Sequence, residues 1–460
     1  MQPMKFDEAL IRRYGGRGPR YTSYPTAVQF HDFTEEQYKR QAALSNERRD
    51  GPLSLYLHIP YCHTLCYYCG CNKVVTRNRD RAGQYLDHLF REVELQSALF
   101  DDDRVVEQLH LGGGTPTYLS EEQLRAVMAK LGENFLLQGD GEQEFSIEID
   151  PRSIQPGMVE ALADMGFNRL SMGVQDFDPE VQKAVNRIQP PEDTLPLIRQ
   201  ARDAGFRSVS IDLIYGLPMQ TPERFDRTLD TVLEAQPDRI SVYSYAHLPQ
   251  MFRAQRLIRQ EDLPSDDVKL ALLGHTIQRL CAEGYEYIGM DHFARKDDEL
   301  AIARENGTMQ RNFQGYSTHA DTELIGLGAS SIGRIADCYS QHTRHDHDYG
   351  HGVEAGRLPV VRGLVMSDED KLRGKVIQSI MCRDRLVFGE IEERFDIDFA
   401  SRFADELADL APLQDDGLVE VDEESIRVTP TGRLLLRAIA MVFDGYLRAQ
   451  AEPQRYSKII

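Results

Sequence analysis

Short runs of β-branched, aromatic and leucine residues alternate, from about residue 53 onward, with longer stretches that have a helical repeat of apolar positions. The short runs have the length and composition of strands, and the longer stretches read as helices. Such alternation is typical of right-handed βαβ units that build a parallel sheet. We therefore predict strands at Leu53–Ile59, 105–111, 145–150, 169–174, 208–214 and 239–245, and helices at 84–99, 121–131, 158–165, 194–204 and Pro222–Ala235.

Six predicted strands are fewer than the eight of a closed barrel, so we expect an α/β fold with an incomplete parallel (β/α)6 barrel. After about residue 366 the pattern changes to helices, with a hairpin at 418–421 and 426–429 and an apolar helix at 433–447. This part predicts a small, mainly helical, winged-helix-like domain, whose acidic wing favours a packing or lid role. The predicted division is an N-terminal arm at 1–50, a barrel at 51–365 and the C-terminal domain at 366–460.

The charge and hydropathy of the chain exclude several classes of function. A net charge of -21, from 53 basic and 74 acidic residues among 460, disfavours general nucleic-acid binding. The first residues contain no apolar run of a secretory signal, and the apolar stretch at 434–443 is too short to span a bilayer. We therefore expect a cytoplasmic protein that binds neither nucleic acid nor membranes.

Four of the seven cysteines lie between Cys62 and Cys71, and this cluster carries the chemistry. An odd number of cysteines in a cytosolic chain argues against a disulfide framework. Cys62, Cys66 and Cys69 have a three-then-two spacing that can wrap one loop around a 4Fe-4S cubane and give three irons one thiolate each. The fourth iron would stay open to the amino and carboxylate groups of S-adenosylmethionine.

A structural zinc site is the alternative interpretation of the same cysteines. Such a site needs four ligands in a closed tetrahedron, and no second cysteine pair follows downstream. His63, Cys66, Cys69 and Cys71 could close it, but the glycine triplet at 112–114 and the strand pattern would then have no explanation. The spacing alone does not decide between Cys62 and Cys71 as a cluster ligand.

Cys-x3-Cys-x2-Cys at the end of the first strand resembles the motif of the radical S-adenosylmethionine (radical SAM) superfamily. The string 69–73, Cys-Gly-Cys-Asn-Lys, resembles more narrowly the oxygen-independent coproporphyrinogen III oxidases, also called coproporphyrinogen dehydrogenases. The similarity extends over almost the whole chain. It is carried by the strings at 20–25, 112–118, 172–177, 212–218, 245–249, 290–295 and 312–316.

This resemblance implies one 4Fe-4S cluster on Cys62, Cys66 and Cys69, without Cys71, and two molecules of S-adenosylmethionine. The implied contacts of the first molecule are Tyr56, Gly113, Glu148 and Ile332. The implied contacts of the second are Tyr68, Gly114, Thr115, Gln175, Arg187, Asp212 and Ala246. The alternating pattern at 145–150 also predicts that Ser146 and Glu148 share one face of their strand, where a carboxylate can accept ribose hydroxyls.

The implied reaction is the oxidative decarboxylation of two propionates of coproporphyrinogen III to vinyl groups in haem biosynthesis. Radicals of 5'-deoxyadenosyl type would start it, and protoporphyrinogen IX is the product. Cations and aromatic rings in the arm suit a flat tetracarboxylate, although an arm that merely packs on the barrel explains them equally well. The candidate substrate residues are Arg17, Arg20, Tyr21, Phe313 and Gln314.

The family also implies a monomer that receives electrons from a small, flavodoxin-like protein. Two alternatives share the barrel and the cluster: a radical SAM enzyme with another substrate, and a haem chaperone. Chaperone-type relatives generally lack the long arm and carry an aromatic residue at the position of Cys71. This chain has both the arm and Cys71, which favours the oxidase.

Overall fold

A computed structural model describes residues 4–49, 51–319, 322–449 and 456, which form two compact units. The barrel unit comprises Phe30–Thr276 and Asp321–Val365. The terminal unit comprises Met1–Gln29, Ile277–Ala320 and Met366–Ile460. The three-part division expected from the sequence, 1–50, 51–365 and 366–460, stays a prediction.

The barrel unit contains the six predicted parallel strands, and they pair in chain order. Their apolar side chains are buried, as expected for strands that are covered by crossover helices. The predicted α/β fold with an incomplete parallel barrel is thereby confirmed. The strands are β1 (Leu53–Ile59), β2 (Val105–Gly113), β3 (Glu144–Ile149), β4 (Arg169–Gln175), β5 (Ser208–Tyr215) and β6 (Arg239–Ser244).

The sheet continues beyond β1 in strands that the sequence pattern did not reveal. A seventh parallel strand, β7 (Glu323–Leu327), pairs with β1 and is buried along its whole length. Antiparallel strands follow from it at Ile332–Ile335, Cys338–His342, Val360–Val365 and His31–Asp32. β7 pairs the backbone groups at the free edge of β1, and the antiparallel strands extend the sheet from there.

The predicted crossover helices are present, and the side chains of Ser120 and Thr221 cap two of them. The helix expected at 84–99 begins already at Asp80, whose N–H donates to Asn78 Oδ1 over 3.0 Å. The helices between the parallel strands are Asp80–Ser97, Glu121–Asn134, Met158–Asp164, Pro179–Ala184, Pro191–Asp203 and Pro222–Ala235, and further helices are Glu35–Arg48, Asp266–Ala282 and Asp346–Glu354.

The terminal unit is mainly helical and contains the expected hairpin. Val419–Val421 and Ser425–Val428 pair, and Arg385–Val387 adds a third strand. Two further hairpins pair Tyr285–Gly289 with His292–Arg295 and Gln310–Asn312 with Gly315–Ser317. Its helices are Glu8–Tyr14, Glu299–Glu305, Asp368–Arg383, Phe388–Phe395, Phe399–Arg402, Ala404–Asp409, Ala411–Asp415, Leu436–Met441 and Gly445–Ala449.

The prediction of a single helix at 433–447 is wrong. The segment instead forms a 3-10 turn at Gly432–Leu435 and the two short helices Leu436–Met441 and Gly445–Ala449. Asp444 causes the break, because its carboxylate accepts the N–H groups of Tyr446 and Leu447 and so starts a new helix. In the part of the chain that the structure describes, no helix is long and apolar enough to span a bilayer.

Candidate active site at the cysteine loop

The cysteines lie on a closed loop at the carboxyl end of β1. Tyr61–Cys62 pairs with Val74–Val75, and the Thr76 N–H donates to the Cys62 carbonyl over 3.1 Å. This short ladder fixes both ends of the segment at 62–75, which we call the cysteine loop. Within it Cys66 is buried, Cys62 and Cys69 are half-buried, and Cys71 is exposed.

Two guanidinium groups face the sulfur of Cys66. Arg152 Nη2 lies 3.4 Å and Arg187 Nη1 lies 3.5 Å from Cys66 Sγ. Both cations also pair with Asp150 at the end of β3, over 2.6 Å from Arg152 and 3.4 Å from Arg187. The two cations would offset the negative charge of a sulfur that binds iron at this position. The sequence had indicated Arg187 but not Arg152.

The other two sulfurs have different electrostatic surroundings. Burial raises the pKa of Cys62 to about 11, although Thr115 Oγ1 opposes this by donating to its sulfur over 3.5 Å. A hydrogen bond from Cys71 and the charge of Lys73 outweigh burial and lower the pKa of Cys69 to about 5. The pair therefore favours the thiolate form at Cys69, with Cys71 beside it as a hydrogen-bond donor.

The donor set fits an iron–sulfur cluster. Among the described residues, no three His, Cys, Asp or Glu side chains converge to hold one metal ion. A cubane has a different requirement, since it takes each thiolate on a separate iron. The loop supplies three soft sulfurs beside two cations, and the surroundings of Cys69 lower the pKa of its thiol. In addition, the buried Nε of Arg187 has no partner among the described residues and remains available to a ligand.

The glycine turn after β2 packs directly against the cysteine loop. The Gly114 N–H donates to the Ile59 carbonyl over 2.8 Å, and a Cβ on Gly114 would lie 2.7 Å from the backbone of Pro60. Gly113 has φ +113°, and a Cβ there would lie 2.6 Å from the His58 ring. Only residues without a side chain allow this approach. These two glycines therefore have a structural role in the turn, while their contact with a cofactor stays a prediction.

Glu148 and Ser146 share one face of β3, as predicted. The His110 ring bridges them, with Nδ1 2.6 Å from Ser146 Oγ and Nε2 3.2 Å from Glu148 Oε1. The other carboxylate oxygen accepts the Gly113 N–H over 3.3 Å. Burial raises the pKa of Glu148, but the His110 contact and the Gly113 N–H outweigh it and hold that pKa below its ordinary value. Glu148 is therefore a charged acceptor, and its side chain is 45% exposed.

Asp212 on β5 is a second carboxylate with a different ionisation. Burial, together with the negative charge of Glu148, raises the pKa of Asp212 to about 6 despite hydrogen bonds from Ser171 and Ser241. Ser171 Oγ donates to Asp212 Oδ2 over 3.2 Å. At neutral pH the folded chain therefore carries a charge here that burial disfavours.

Replacing Asp212 by Asn is expected to stabilise the cofactor-free protein by about 2 kcal/mol near pH 7.5 and by little near pH 4. The sign follows because the pKa of Asp212 is higher in the folded chain than in the unfolded chain. Below about pH 4 both chains hold the proton. Above about pH 6 the folded chain must ionise a buried group, and Asn removes that cost. Denaturant unfolding at both pH values measures the effect. Asp164→Asn, at a 74% exposed side chain, is the control and should change neither value.

The remaining cofactor candidates of the barrel unit lie on the strands of its sheet. Tyr56 stacks on His110 with ring centroids 5.8 Å apart, and Gly326, which pairs with Tyr56, adjoins the backbone of Ile332. Gln175 ends β4 at φ +69°. A Cβ on Gly173 would meet the side chains of both Gln175 and Arg187.

Tyr68 and Ala246 are joined through a residue that sequence reasoning missed. The side-chain amide of Gln255 donates to the Tyr68 carbonyl over 2.9 Å and to the Ala246 carbonyl over 3.2 Å. The Tyr68 ring packs on a buried apolar cluster that contains Val185 and Ile258. The structure thus places all the predicted cofactor contacts in the barrel unit.

The candidate substrate residues all belong to the terminal unit. Arg20 Nη2 donates to Asp291 over 2.9 Å, and the hydroxyl of the buried Tyr21 donates to Asp444 over 2.9 Å. Arg17 is exposed. Phe313 and Gln314 form the turn between Gln310–Asn312 and Gly315–Ser317, and Gln314 Nε2 is buried without a partner in the described part of the chain.

Comparison with known proteins agrees with this geometry. The profile of the Radical SAM superfamily matches residues 56–232, and that of the HemN C-terminal domain matches residues 366–435. Proteins named oxygen-independent coproporphyrinogen III oxidase from Pseudomonas aeruginosa and Escherichia coli are 50% and 51% identical, each over 100% of both chains. A solved structure described as "Coproporphyrinogen III oxidase (HemN) from Escherichia coli is a Radical SAM enzyme" superposes with a TM-score of 0.92. It is 50% identical and covers 97% of this chain and 100% of its own.

The incomplete barrel and the cysteine loop at the end of β1 define a radical SAM enzyme, which binds a 4Fe-4S cluster and S-adenosylmethionine. Half of the residues are identical to those of full-length relatives with one common name. The chain belongs to the family of oxygen-independent coproporphyrinogen III oxidases.

Proposed function

We propose that this chain oxidises coproporphyrinogen III without oxygen, converting two propionates to vinyl groups and releasing protoporphyrinogen IX for haem biosynthesis. The observation that carries the proposal is the cysteine loop, in which Cys66 faces two cations and lies in the same barrel unit as Glu148 and Asp212. The full-length identity to the named oxidases supports the choice of substrate.

Cys62, Cys66 and Cys69 are the proposed ligands of the 4Fe-4S cluster. When bound, the cluster and S-adenosylmethionine supply the 5'-deoxyadenosyl radical that removes hydrogen from the β-carbon of a propionate. Arg152 and Arg187 stabilise the ligand set, because their charges face Cys66. Cys71 stabilises the thiolate of Cys69 and is not itself a proposed ligand.

The two expected molecules of S-adenosylmethionine are assigned to the barrel unit. Glu148 is the proposed acceptor of ribose hydroxyls for the molecule at the cluster, because it is charged and accessible. Asp212 has the same role for the second molecule, and Arg187 offers its unpartnered Nε. The other proposed contacts are Tyr56, Gly113 and Ile332 for the first, and Tyr68, Gly114, Thr115, Gln175 and Ala246 for the second.

Substrate recognition is assigned to Arg17, Arg20, Tyr21, Phe313 and Gln314. A tetracarboxylate needs cationic and neutral donors, which the exposed Arg17 and the unpartnered amide of Gln314 can supply. Arg20 already pairs with Asp291, so a substrate carboxylate would compete with that side chain. We further propose that the arm at 1–50 covers the substrate, and that the domain at 366–460 is a separate helical element.

The proposed partner is a small, flavodoxin-like reductant, and the proposed state is a cytoplasmic monomer. A reducing compartment suits free thiolates and an oxygen-labile cluster.

Anaerobic reconstitution with iron and sulfide tests the function. Incubation with dithionite, S-adenosylmethionine and coproporphyrinogen III is expected to yield 5'-deoxyadenosine, carbon dioxide and protoporphyrinogen IX. Chromatography of the products measures the yield, and omission of S-adenosylmethionine is the control. Transfer of bound haem to an acceptor without any decarboxylation would instead identify a haem chaperone, and a colourless protein that binds only zinc would exclude both.

A further inference from the structure

The segment that follows β6 is fixed to the cysteine loop by one of its faces. Arg253–Leu257 is a 3-10 helix, in which residues three positions apart lie on the same side. Phe252, Gln255 and Ile258 have this spacing and all point inward. A Cβ on Gly70 would lie 3.1 Å from the Phe252 ring, Gln255 holds the Tyr68 carbonyl, and Ile258 joins the apolar cluster under Tyr68. The inner face therefore contacts the two residues that flank Cys69.

The outer face of the same segment is cationic and apolar. Arg253 and Arg256 are three positions apart, both are exposed, and neither forms an ion pair within the described residues. Arg256 donates only its Nε, to the Pro249 carbonyl. Met251 is 67% and Leu257 is 55% exposed. We call Met251, Arg253, Arg256 and Leu257 the basic patch.

This surface is unusual for a chain of net charge -21. The next arginine, Arg259, differs from both, because it pairs with Asp262 over 2.8 Å and with Glu261 over 3.4 Å. Two unpaired arginines beside two exposed large apolar side chains combine the features of a transient protein interface. Methionine also adapts easily to different partner surfaces.

We propose that the basic patch is the docking site of an acidic protein that carries one electron, and that this protein reduces the cluster there. The inference rests on the proposed function, since it needs a cluster on Cys62, Cys66 and Cys69. One electron leaves the carrier, which is oxidised, and enters the cluster, which is reduced. The patch suits this transfer because its supporting segment contacts the neighbours of Cys69 directly.

The local charge of the basic patch governs the association with an acidic partner, although the protein as a whole carries a negative net charge. At physiological ionic strength the Debye length is about 8 Å, so a docked partner interacts with Arg253 and Arg256 far more than with remote carboxylates. Steering by a few charges typically changes association rates by about ten-fold or more, and the effect falls steeply with salt.

The test uses the reconstituted full-length holoenzyme and an acidic flavodoxin in its hydroquinone form. Stopped-flow spectroscopy follows cluster reduction at several salt concentrations. R253E/R256E is expected to lower the rate constant about ten-fold or more at low salt and to remove most of its salt dependence. The matched control R199E/R357E changes two other exposed arginines that form no ion pair within the described residues, and should keep the wild-type rate.

Reduction by dithionite separates the possible outcomes. The proposal expects R253E/R256E to be reduced by dithionite at the wild-type rate, and R253Q/R256Q to show an intermediate loss with flavodoxin. The proposal would be overturned if flavodoxin reduced R253E/R256E at the wild-type rate, or if R199E/R357E lost as much of the rate. It would also be overturned if dithionite reduction slowed in parallel in both patch variants. A patch that instead holds a second copy would show as a dimer that R253E/R256E dissociates while flavodoxin reduction is unchanged. Failure of the proposed function is distinguishable, because flavodoxin would then reduce the wild-type cluster without any formation of protoporphyrinogen IX, and a missing cluster would show as no reduction by either reductant.

Discussion

Replacing Cys62, Cys66 or Cys69 by Ala, one at a time, is expected to abolish the cluster and all formation of 5'-deoxyadenosine. A cubane that keeps only two protein thiolates has two irons without a protein ligand and does not survive isolation. Iron and acid-labile sulfide content after anaerobic reconstitution measures the first effect, and chromatography of the nucleoside measures the second. The fold should persist, since β1 and its partners do not depend on these sulfurs.

Cys71→Ala is the informative control for the cysteine series. Cys71 is exposed and donates to Cys69, so its removal should leave iron and sulfide content near the wild-type level. Loss of the cluster in Cys71→Ala together with its retention in Cys62→Ala would assign the ligands to Cys66, Cys69 and Cys71.

Replacing Glu148 by Ala is expected to weaken binding of S-adenosylmethionine roughly 30- to 150-fold. A charged carboxylate that accepts hydrogen bonds from hydroxyl groups contributes about 2–3 kcal/mol to the binding free energy. No other carboxylate takes its place at this position of the strand. The geometry supports this size, because His110 and the Gly113 N–H hold the carboxylate in place before any ligand arrives. Equilibrium binding to the reconstituted, oxidised protein measures the change without turnover.

Two variants define the origin of that loss. Glu148→Gln keeps one acceptor oxygen and should show an intermediate affinity. Glu142→Ala removes a side chain that is 75% exposed, shortly before β3, and should bind like the wild type. An unchanged affinity in Glu148→Ala would remove Glu148 from the site and leave its contacts with His110 and Gly113 as its only role.

The electrostatics of the cysteine loop could not be predicted from the sequence. Arg152 is 86 and Arg187 is 121 positions away from Cys66, yet both reach its sulfur. Neither periodicity nor a motif predicts these contacts, because they depend on which strand ends are neighbours in the barrel. Gln255 is a similar case, since it lies 187 positions from the carbonyl of Tyr68 that it holds.

The N-terminal arm also shows that contacts between distant residues cannot be predicted from the sequence. Its arginines and tyrosines predicted contacts with a substrate, but the structure pairs Arg20 with Asp291 and Tyr21 with Asp444. Side-chain type alone does not distinguish an arginine that is available to bind a ligand from one that already forms an ion pair with a carboxylate of the protein. Arg17 is exposed, and substrate contacts of Arg17, Arg20 and Tyr21 all stay predictions.

The sequence by itself determined the six strands, the intervening helices and the cysteine spacing, because these depend on periodicity and on residues close together in the chain. It also placed Glu148 and Ser146 on one face, since side chains alternate along any strand. The tertiary structure alone decided the strands added beyond β1, the break at Asp444, the two cations on Cys66 and the cationic face over Cys69. These features arise from contacts between distant segments, whose energies depend on burial and on charge pairing in the folded chain.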